Sequence, residues 1–351
     1  MGLKLNKPYN KTTFMKIKLL IIPILFFLSN CTNPIEDVVH HISGQTMGTT
    51  YSVKFTAQVP IDLIEIENEI NSLLRNVNQQ MSTFIPNSEL SLFNKSKSIE
   101  WTNVSYDLAF VIDAALRISQ FTNGKFDITI GPLVNLWGFG PDNKPHKVPL
   151  SKDIKKLNRF VGYRNVDVKL NPPSIKKSHP DVYCDLSAIA KGFGVDKVSE
   201  YLSSKKLTNS LVEIGGELRA SGTKFGKSWK VGISVPSQTS TIQESISLNN
   251  QSMATSGDYW NYFEENGIRY SHTINPISGK PITHKLASVT IVSKSCMEAD
   301  AIATAIDVMG PEIGLKFAEK NELNVYFIVK GEKIFETFFT PNFKELLLKG
   351  K

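Results

Sequence analysis

The chain predicts an α+β fold of mainly antiparallel sheets with packed helices, and two observations carry that expectation. From residue 160 onward, short segments of strand character are separated by turn residues. Helical segments lie between them without the regular strand-helix-strand alternation of a doubly wound nucleotide fold. Only Cys184 and Cys296 lie beyond Cys31, so no disulfide framework carries the fold. One bridge between them is possible, and two unpaired buried thiols are the default expectation.

At the N-terminus, Lys4, Lys7, Lys11, Lys16 and Lys18 precede an apolar block running from Leu19 to Leu28. This is a charged n-region and an h-region too brief to span a bilayer. Leu28-Ser29-Asn30-Cys31 resembles a bacterial lipobox, with Asn30 standing where that pattern prefers Gly or Ala. Residues 1–30 therefore read as a lipoprotein signal peptide, Cys31 as the lipidated residue, 31–43 as a short tether and 44–345 as one folded domain. Left uncleaved, the same segment is an N-terminal anchor. Either way the protein is expected to be exported and held at a bacterial membrane, facing the periplasm. Of 40 basic residues, five lie before Cys31 where no acid occurs, and with 33 acids the remainder carries only +2. That balance argues against a nucleic-acid partner.

Thr49 to Phe55 alternates like a strand. After Pro60, residues Leu63, Ile66, Ile70, Leu73, Leu74 and Val77 mark a helix, and a second follows Ser105, with Asn123-Gly124 as its stop. Gly131 to Pro141 reads as an ordered loop with aromatic anchors. Strands are expected at 210–214, 229–235, 244–248, 270–274, 288–292, 323–329 and 333–338, with helices near 188–203, 297–309 and 311–320.

Two segments carry the chemistry. Cys184-Asp185-Leu186-Ser187-Ala188-Ile189-Ala190-Lys191-Gly192 is expected to end a strand and open a helix, offering an acid, a lysine and unpaired N–H groups to a phosphate. An ordinary capped helix would read the same. In Glu298-Ala299-Asp300-Ala301-Ile302-Ala303-Thr304, Asp300 and Thr304 are four apart and share one helical face, which puts a carboxylate beside a hydroxyl as Mg²⁺ prefers. Taken singly, that pair is more often a solvated helix face.

Further segments are Gly44-Gln45-Thr46-Met47-Gly48, Met81-Ser82-Thr83-Phe84, Gly124-Lys125-Phe126-Asp127, Thr255-Ser256-Gly257-Asp258 and Tyr270-Ser271-His272-Thr273-Ile274-Asn275-Pro276. In this order the set resembles the ApbE family of bacterial FAD:protein FMN transferases, over about Gly44 to Met309. The resemblance implies an ApbE-type, T-fold-like architecture. It also implies an enzyme that, with Mg²⁺, cleaves the FAD pyrophosphate, joins FMN through a phosphoester to a Thr or Ser hydroxyl of an acceptor protein, and releases AMP. Acceptors would be exported or membrane-bound flavoproteins such as subunits of redox complexes.

Residue by residue, the resemblance places Asp185 and Lys191 at the metal or FAD, with Ala188 acting on the metal through its carbonyl. It places Asp300, Thr304 and the nearby Ala303 at the metal. Met47, Phe84, Lys125, Phe126, Asp127 and Ile274 match positions lining the flavin or adenine pocket. The incoming hydroxyl needs a base, for which His272 is the natural candidate, with Asp185 or Asp258 as substitutes. Asn275 stands where the family has aspartate, and Lys125 replaces a commonly small residue. Two other activities fit the same residues: an FAD pyrophosphatase giving FMN and AMP, and a flavin-binding lipoprotein without chemistry.

Overall fold

The computed structural model describes residues 1–2 and 37–349, apart from 59, 143–144, 237–240 and 258–260. Residues 3–36, which hold most of the segment read as a signal peptide and Cys31, lie outside the described residues, as does Asp258. Among those described, no helix is long and apolar enough to cross a membrane. Contacts divide the chain into Met1–Ile35 and Glu36–Lys351, and every element below belongs to the second unit.

An eight-stranded sheet organises this unit. Its strands are β1 (Val38–Thr46), β2 (Thr49–Ala57), β3 (Ser210–Ile214), β4 (Glu217–Ser221), β5 (Gln251–Gly257), β6 (Leu286–Ser293), β7 (Asn324–Lys330) and β8 (Phe335–Phe339). They lie in the sheet in chain order, and each neighbouring pair is antiparallel. The fold is a meander whose connections carry the rest of the molecule, which meets the expected α+β class.

Six helices enter between β2 and β3: α1 (Leu63–Met81), α2 (Glu89–Lys95), α3 (Tyr106–Phe121), α4 (Gly131–Leu136), α5 (Ser151–Asn158) and α6 (Ala190–Ser204). The caps explain several of the starts. Asp62, Ser88 and Ser105 each accept an N–H from the first turn of α1, α2 and α3 through their side chains. Asn123 and Gly124 both take positive φ and stop α3, as their residue types predict.

The helix α7 (Cys296–Lys320) connects β6 to β7, and α8 (Pro341–Lys349) closes the chain. Gly310 has φ 77° and is followed by Pro311, which breaks α7 into the two helical stretches expected from sequence. One sheet face is covered by α7, whose alanines pack with Ala254, Val289, Ile291 and Phe327. At the β1–β3 end, α1 and α6 bury Ile70, Leu74, Val195 and Val198 against Tyr51, Val53, Phe55 and Val212. The opposite face is closed by the hairpin Trp229–Ser234/Ile242–Leu248 and by Phe343 of α8.

Several local expectations are corrected. The Gly131–Pro141 loop contains α4, because Pro132 fits a first helical turn and Gly131 leaves room for the Tyr183 ring, 2.3 Å from where a Cβ would stand. Its aromatic anchor is present: Trp137 is buried and donates Nε1–H to the Gly279 carbonyl at 3.0 Å. The strand expected at 270–274 is two short strands, Ile268–Ser271 and Ile274–Asn275, parted at His272. Cys184 ends no strand; residues 182–186 have no regular structure, 187–189 form a turn, and α6 begins only at Ala190. The segment read as a tether is, from Val38, the edge strand β1. Cys184 and Cys296 are both free and buried, the default expectation.

Candidate functional site

One cavity of about 460 Å³ gathers most of the residues singled out by sequence, a volume within the usual range for small-molecule sites. Its wall includes Phe84 and Lys125-Phe126-Asp127, then Asp185, Ala188 and Lys191 from the turn into α6, and His272, Ile274, Asp300 and Thr304 from farther along the chain. Met47 and Ala303 are not in this wall. Met47 is the first turn residue of the β1–β2 hairpin, with φ 50° beside Gly48 at φ 73°, the pair of positive angles that a tight two-residue hairpin requires. Its side chain packs toward Gly194 and the two helix-covered cores. Ala303 is buried in the core under α7, one position from Thr304.

Asp300 is nearly fully buried, and the N-terminus of α6 is aimed at it: Gly192 N–H donates to Asp300 Oδ2 at 3.0 Å. An anion is favoured at that end of a helix. The contact depends on Gly192 having no side chain, since a Cβ there would stand 2.4 Å from the Cys296 carbonyl oxygen. The glycine therefore lets α6 lie directly on the start of α7. Thr304 and Val308 follow Asp300 on the cavity-facing stripe of α7, as the four-residue spacing predicts.

The Lys191 ammonium lies 3.0 Å from Glu217 Oε1 and 3.7 Å from Asp300 Oδ1. Burial works to lower its pKa, but the two facing carboxylates override burial and raise it above the ordinary lysine value. One cation between two buried acids leaves a negative charge uncompensated. Burial, with Asp300 nearby, pushes the Glu217 carboxyl up to about 8 in spite of Lys191. Burial raises the Asp300 carboxyl as well, against the pull of Lys191 and the Gly192 N–H.

Glu217 escaped the sequence reading. Gly215 and Gly216, with φ 61° and 103°, make the turn between β3 and β4 and deliver Glu217 into the cavity wall. A Gly-Gly-acid segment reads as an exposed hairpin turn, and no local signal announces burial by the distant Lys191.

Asp127 is also committed. Its Oδ1 accepts Thr129 N–H and Oγ–H at 2.8 and 2.6 Å, and Oδ2 accepts Tyr163 N–H at 2.7 Å. Burial raises its pKa while these bonds lower it. These bonds fix its place in the cavity wall and take up most of its acceptor capacity. Asp185 receives Ser187 N–H on Oδ1 at 2.9 Å and donates its own N–H to the Ile128 carbonyl at 2.7 Å. The preceding residue is braced from the other side: Asn94 accepts the Cys184 N–H and donates to its carbonyl, both at 2.8 Å.

His272 lies beside Thr273, and its Nδ1 is 3.0 Å from the Asn261 carbonyl oxygen. Because a carbonyl only accepts, the neutral ring carries its proton on Nδ1 and its lone pair on Nε2. Thr273 Oγ–H and Ser256 Oγ–H both donate to Asp307 Oδ2, at 3.3 and 3.1 Å. Asp307 is fully buried, one turn beyond Thr304, and was not marked by sequence because an acid in an alanine-rich helix looks solvent-facing. Asn275 accepts Ile277 N–H at 2.9 Å, which stabilises the turn after Ile274–Asn275.

Among the described residues, no cluster of three or more His, Cys, Asp or Glu side chains is placed to hold a metal ion. A cation here would take one carboxylate, hydroxyl and main-chain oxygens, and oxygens of its ligand, which is how Mg²⁺ sits beside phosphates.

Comparison with known proteins places the chain. The ApbE family profile matches residues 47–327. The FAD:protein FMN transferase of Vibrio cholerae is 43% identical over 338 residues, covering 95% of this chain and 100% of its own length. That of Haemophilus influenzae is 42% identical over 334 residues, with 93% and 96% covered. Among solved structures, the flavin transferase ApbE from Vibrio cholerae superposes with a TM-score of 0.82 at 42% identity, over 89% of this chain and 100% of that one. The apo form of the Pseudomonas stutzeri flavinyl transferase ApbE gives 0.82 at 35% identity, over 89% and 97%.

Proposed function

This chain belongs to the ApbE family, and from that membership we propose that it transfers the FMN half of FAD to a Thr or Ser hydroxyl of an acceptor protein, with AMP as the leaving group. The observation that carries this reading is the convergence of Lys191, Asp300, Thr304, Asp185 and His272 on one cavity wall.

The donor set fits Mg²⁺: the Asp300 carboxylate, the Thr304 hydroxyl and the Ala188 carbonyl would hold it, with diphosphate oxygens completing the shell. Such an ion supplies charge neutralisation on the diphosphate and at the departing phosphate. Phe84, Phe126 and Ile274 give the ring system apolar contacts, and Phe84, two-thirds exposed at 66%, stands at the mouth. Lys191 places a point charge beside the same diphosphate. The acceptor oxygen attacks the FMN phosphorus, the bond from that phosphorus to the bridging oxygen breaks, and AMP departs with that oxygen. His272 Nε2 takes the hydroxyl proton. The leader and Cys31 support a lipid-anchored enzyme facing the periplasm, where acceptors would be exported or membrane-bound flavoproteins.

The test is incubation of the purified chain with FAD, Mg²⁺ and a co-expressed candidate acceptor, read as a fluorescent band on a denaturing gel. Absence of the band while FAD remains bound rejects the reading. AMP released without any acceptor would make hydrolysis the activity. Asp300→Ala is expected to abolish turnover; unchanged FAD binding with no turnover in either protein would make the chain a flavin carrier.

A further inference from the structure

We propose that Glu217 is a positioning residue that draws the Lys191 ammonium off Asp300 and so keeps that carboxylate open to a divalent cation. The inference rests on the metal reading of Asp300 given above. Three observations carry it. Lys191 Nζ is at hydrogen-bonding distance from Glu217, 3.0 Å, but only at a long ion-pair distance from Asp300, 3.7 Å. Asp300 Oδ2 is occupied by the Gly192 N–H, so Oδ1 is the oxygen on which ammonium and cation compete. Glu217 is 3% exposed in the cavity wall, and its Oε2 is buried with no hydrogen-bond partner, so this carboxylate is held there by Lys191.

The lysine stem is guided to this position by the turn before Glu217. A Cβ on Gly215 would lie 3.4 Å from Lys191 Cδ and 2.8 Å from Thr49 Cγ2. The two glycines, the acid and the lysine thus form one device. Without the acid, Asp300 is the remaining buried anion beside the ammonium, and the lysine settles on it as an internal counter-ion.

The experiment measures Mn²⁺ binding to the FAD-free protein at about pH 8.5, above the range in which Glu217 keeps its proton, by electron paramagnetic resonance titration, in wild type, Glu217→Gln, Lys191→Met and the double variant. Glu217→Gln is expected to weaken Mn²⁺ binding by about 10- to 100-fold, the usual effect of losing an outer partner of a metal ligand. Removing Lys191 from that variant should recover most of the loss, because the competing ammonium is gone. Thermal unfolding of each variant separates this outcome from misfolding, since a merely structural role would not be rescued by a second substitution. Unchanged Mn²⁺ affinity in Glu217→Gln overturns the proposal. So does a loss that Lys191→Met fails to recover, which would make Glu217 a ligand itself. If wild type and Asp300→Ala respond to Mn²⁺ alike, the metal reading falls first and the proposal with it.

Discussion

Thr273 donates its hydroxyl to Asp307 across 3.3 Å, tying the residue next to His272 to the helix that carries Asp300 and Thr304. Ser256, at the end of β5, donates to the same carboxylate oxygen. Three separate pieces of the cavity wall are thus pinned at one buried acid.

Asp307→Ala removes both bonds and leaves two hydroxyls without their acceptor. Unfolding free energy is expected to fall by roughly 2–6 kcal/mol, at about 1–3 kcal/mol for each buried hydroxyl left without its acceptor. Asp307→Asn, which keeps an acceptor oxygen, should recover part of this in chemical denaturation. Equal stability of the alanine variant and wild type would show that the pin carries no energy.

Gly192→Ala pushes a methyl against the Cys296 carbonyl. The two helices must separate, at a cost of about 1–3 kcal/mol, as for other overpacked contacts. The Gly192–Asp300 hydrogen bond lengthens with them. Thermal unfolding should show a lower midpoint, and transfer activity should fall even at temperatures where the variant is folded.

The pH dependence of the metal-free protein follows from Glu217. Its carboxyl holds a proton up to about 8 in the folded state, against an ordinary value of 4.5, because burial disfavours the charge. Between those values the folded state binds more protons than the unfolded one, so stability falls as pH rises through the window. Glu217→Gln should flatten that slope. A wild-type midpoint that rises steadily from pH 5 to 8, with the same slope in the variant, would contradict it.

Burial pushes the Cys184 thiol up to about 12, and the Cys296 thiol is also raised well above its usual value by burial. Neither should react with an aromatic disulfide reagent at neutral pH until the fold opens. Rapid labelling of Cys184 or Cys296 in the native protein, mapped apart from Cys31, would contradict this.

Much of the scaffold was legible because it obeys local rules. The α1 and α3 helices announce themselves through apolar spacing and capping residues, β3 through Leu211, Val212 and Ile214, and β6 through the β-branched run Val289–Val292. By contrast β1 hid, because its inward side is His40, Ile42, Gly44 and Thr46, with a single aliphatic residue among them. The strand β5 hid for a related reason: Gln251–Gly257 is polar in composition and owes its place to pairing with β4 and β6.

The candidate site was legible wherever a motif supplied the chemistry in sequence order, as for Asp185, Lys191, Asp300 and Thr304. It was not legible at Glu217 or Asp307, whose burial is created by partners on other elements. Met47 shows the converse, a residue matched by motif whose backbone is occupied in turning a hairpin.

The bond between Gly192 and Asp300 spans 108 positions of chain. Neither half can be shaped by its own neighbourhood, so the centre comes into being only when the meander closes from β3 through β6, a slow kind of event for any polypeptide. Occupancy and foldedness then become one equilibrium. A ligand present at a hundred times its dissociation constant would shift that equilibrium by about 2.7 kcal/mol toward the native chain, so filling the cavity and holding the fold closed are one act.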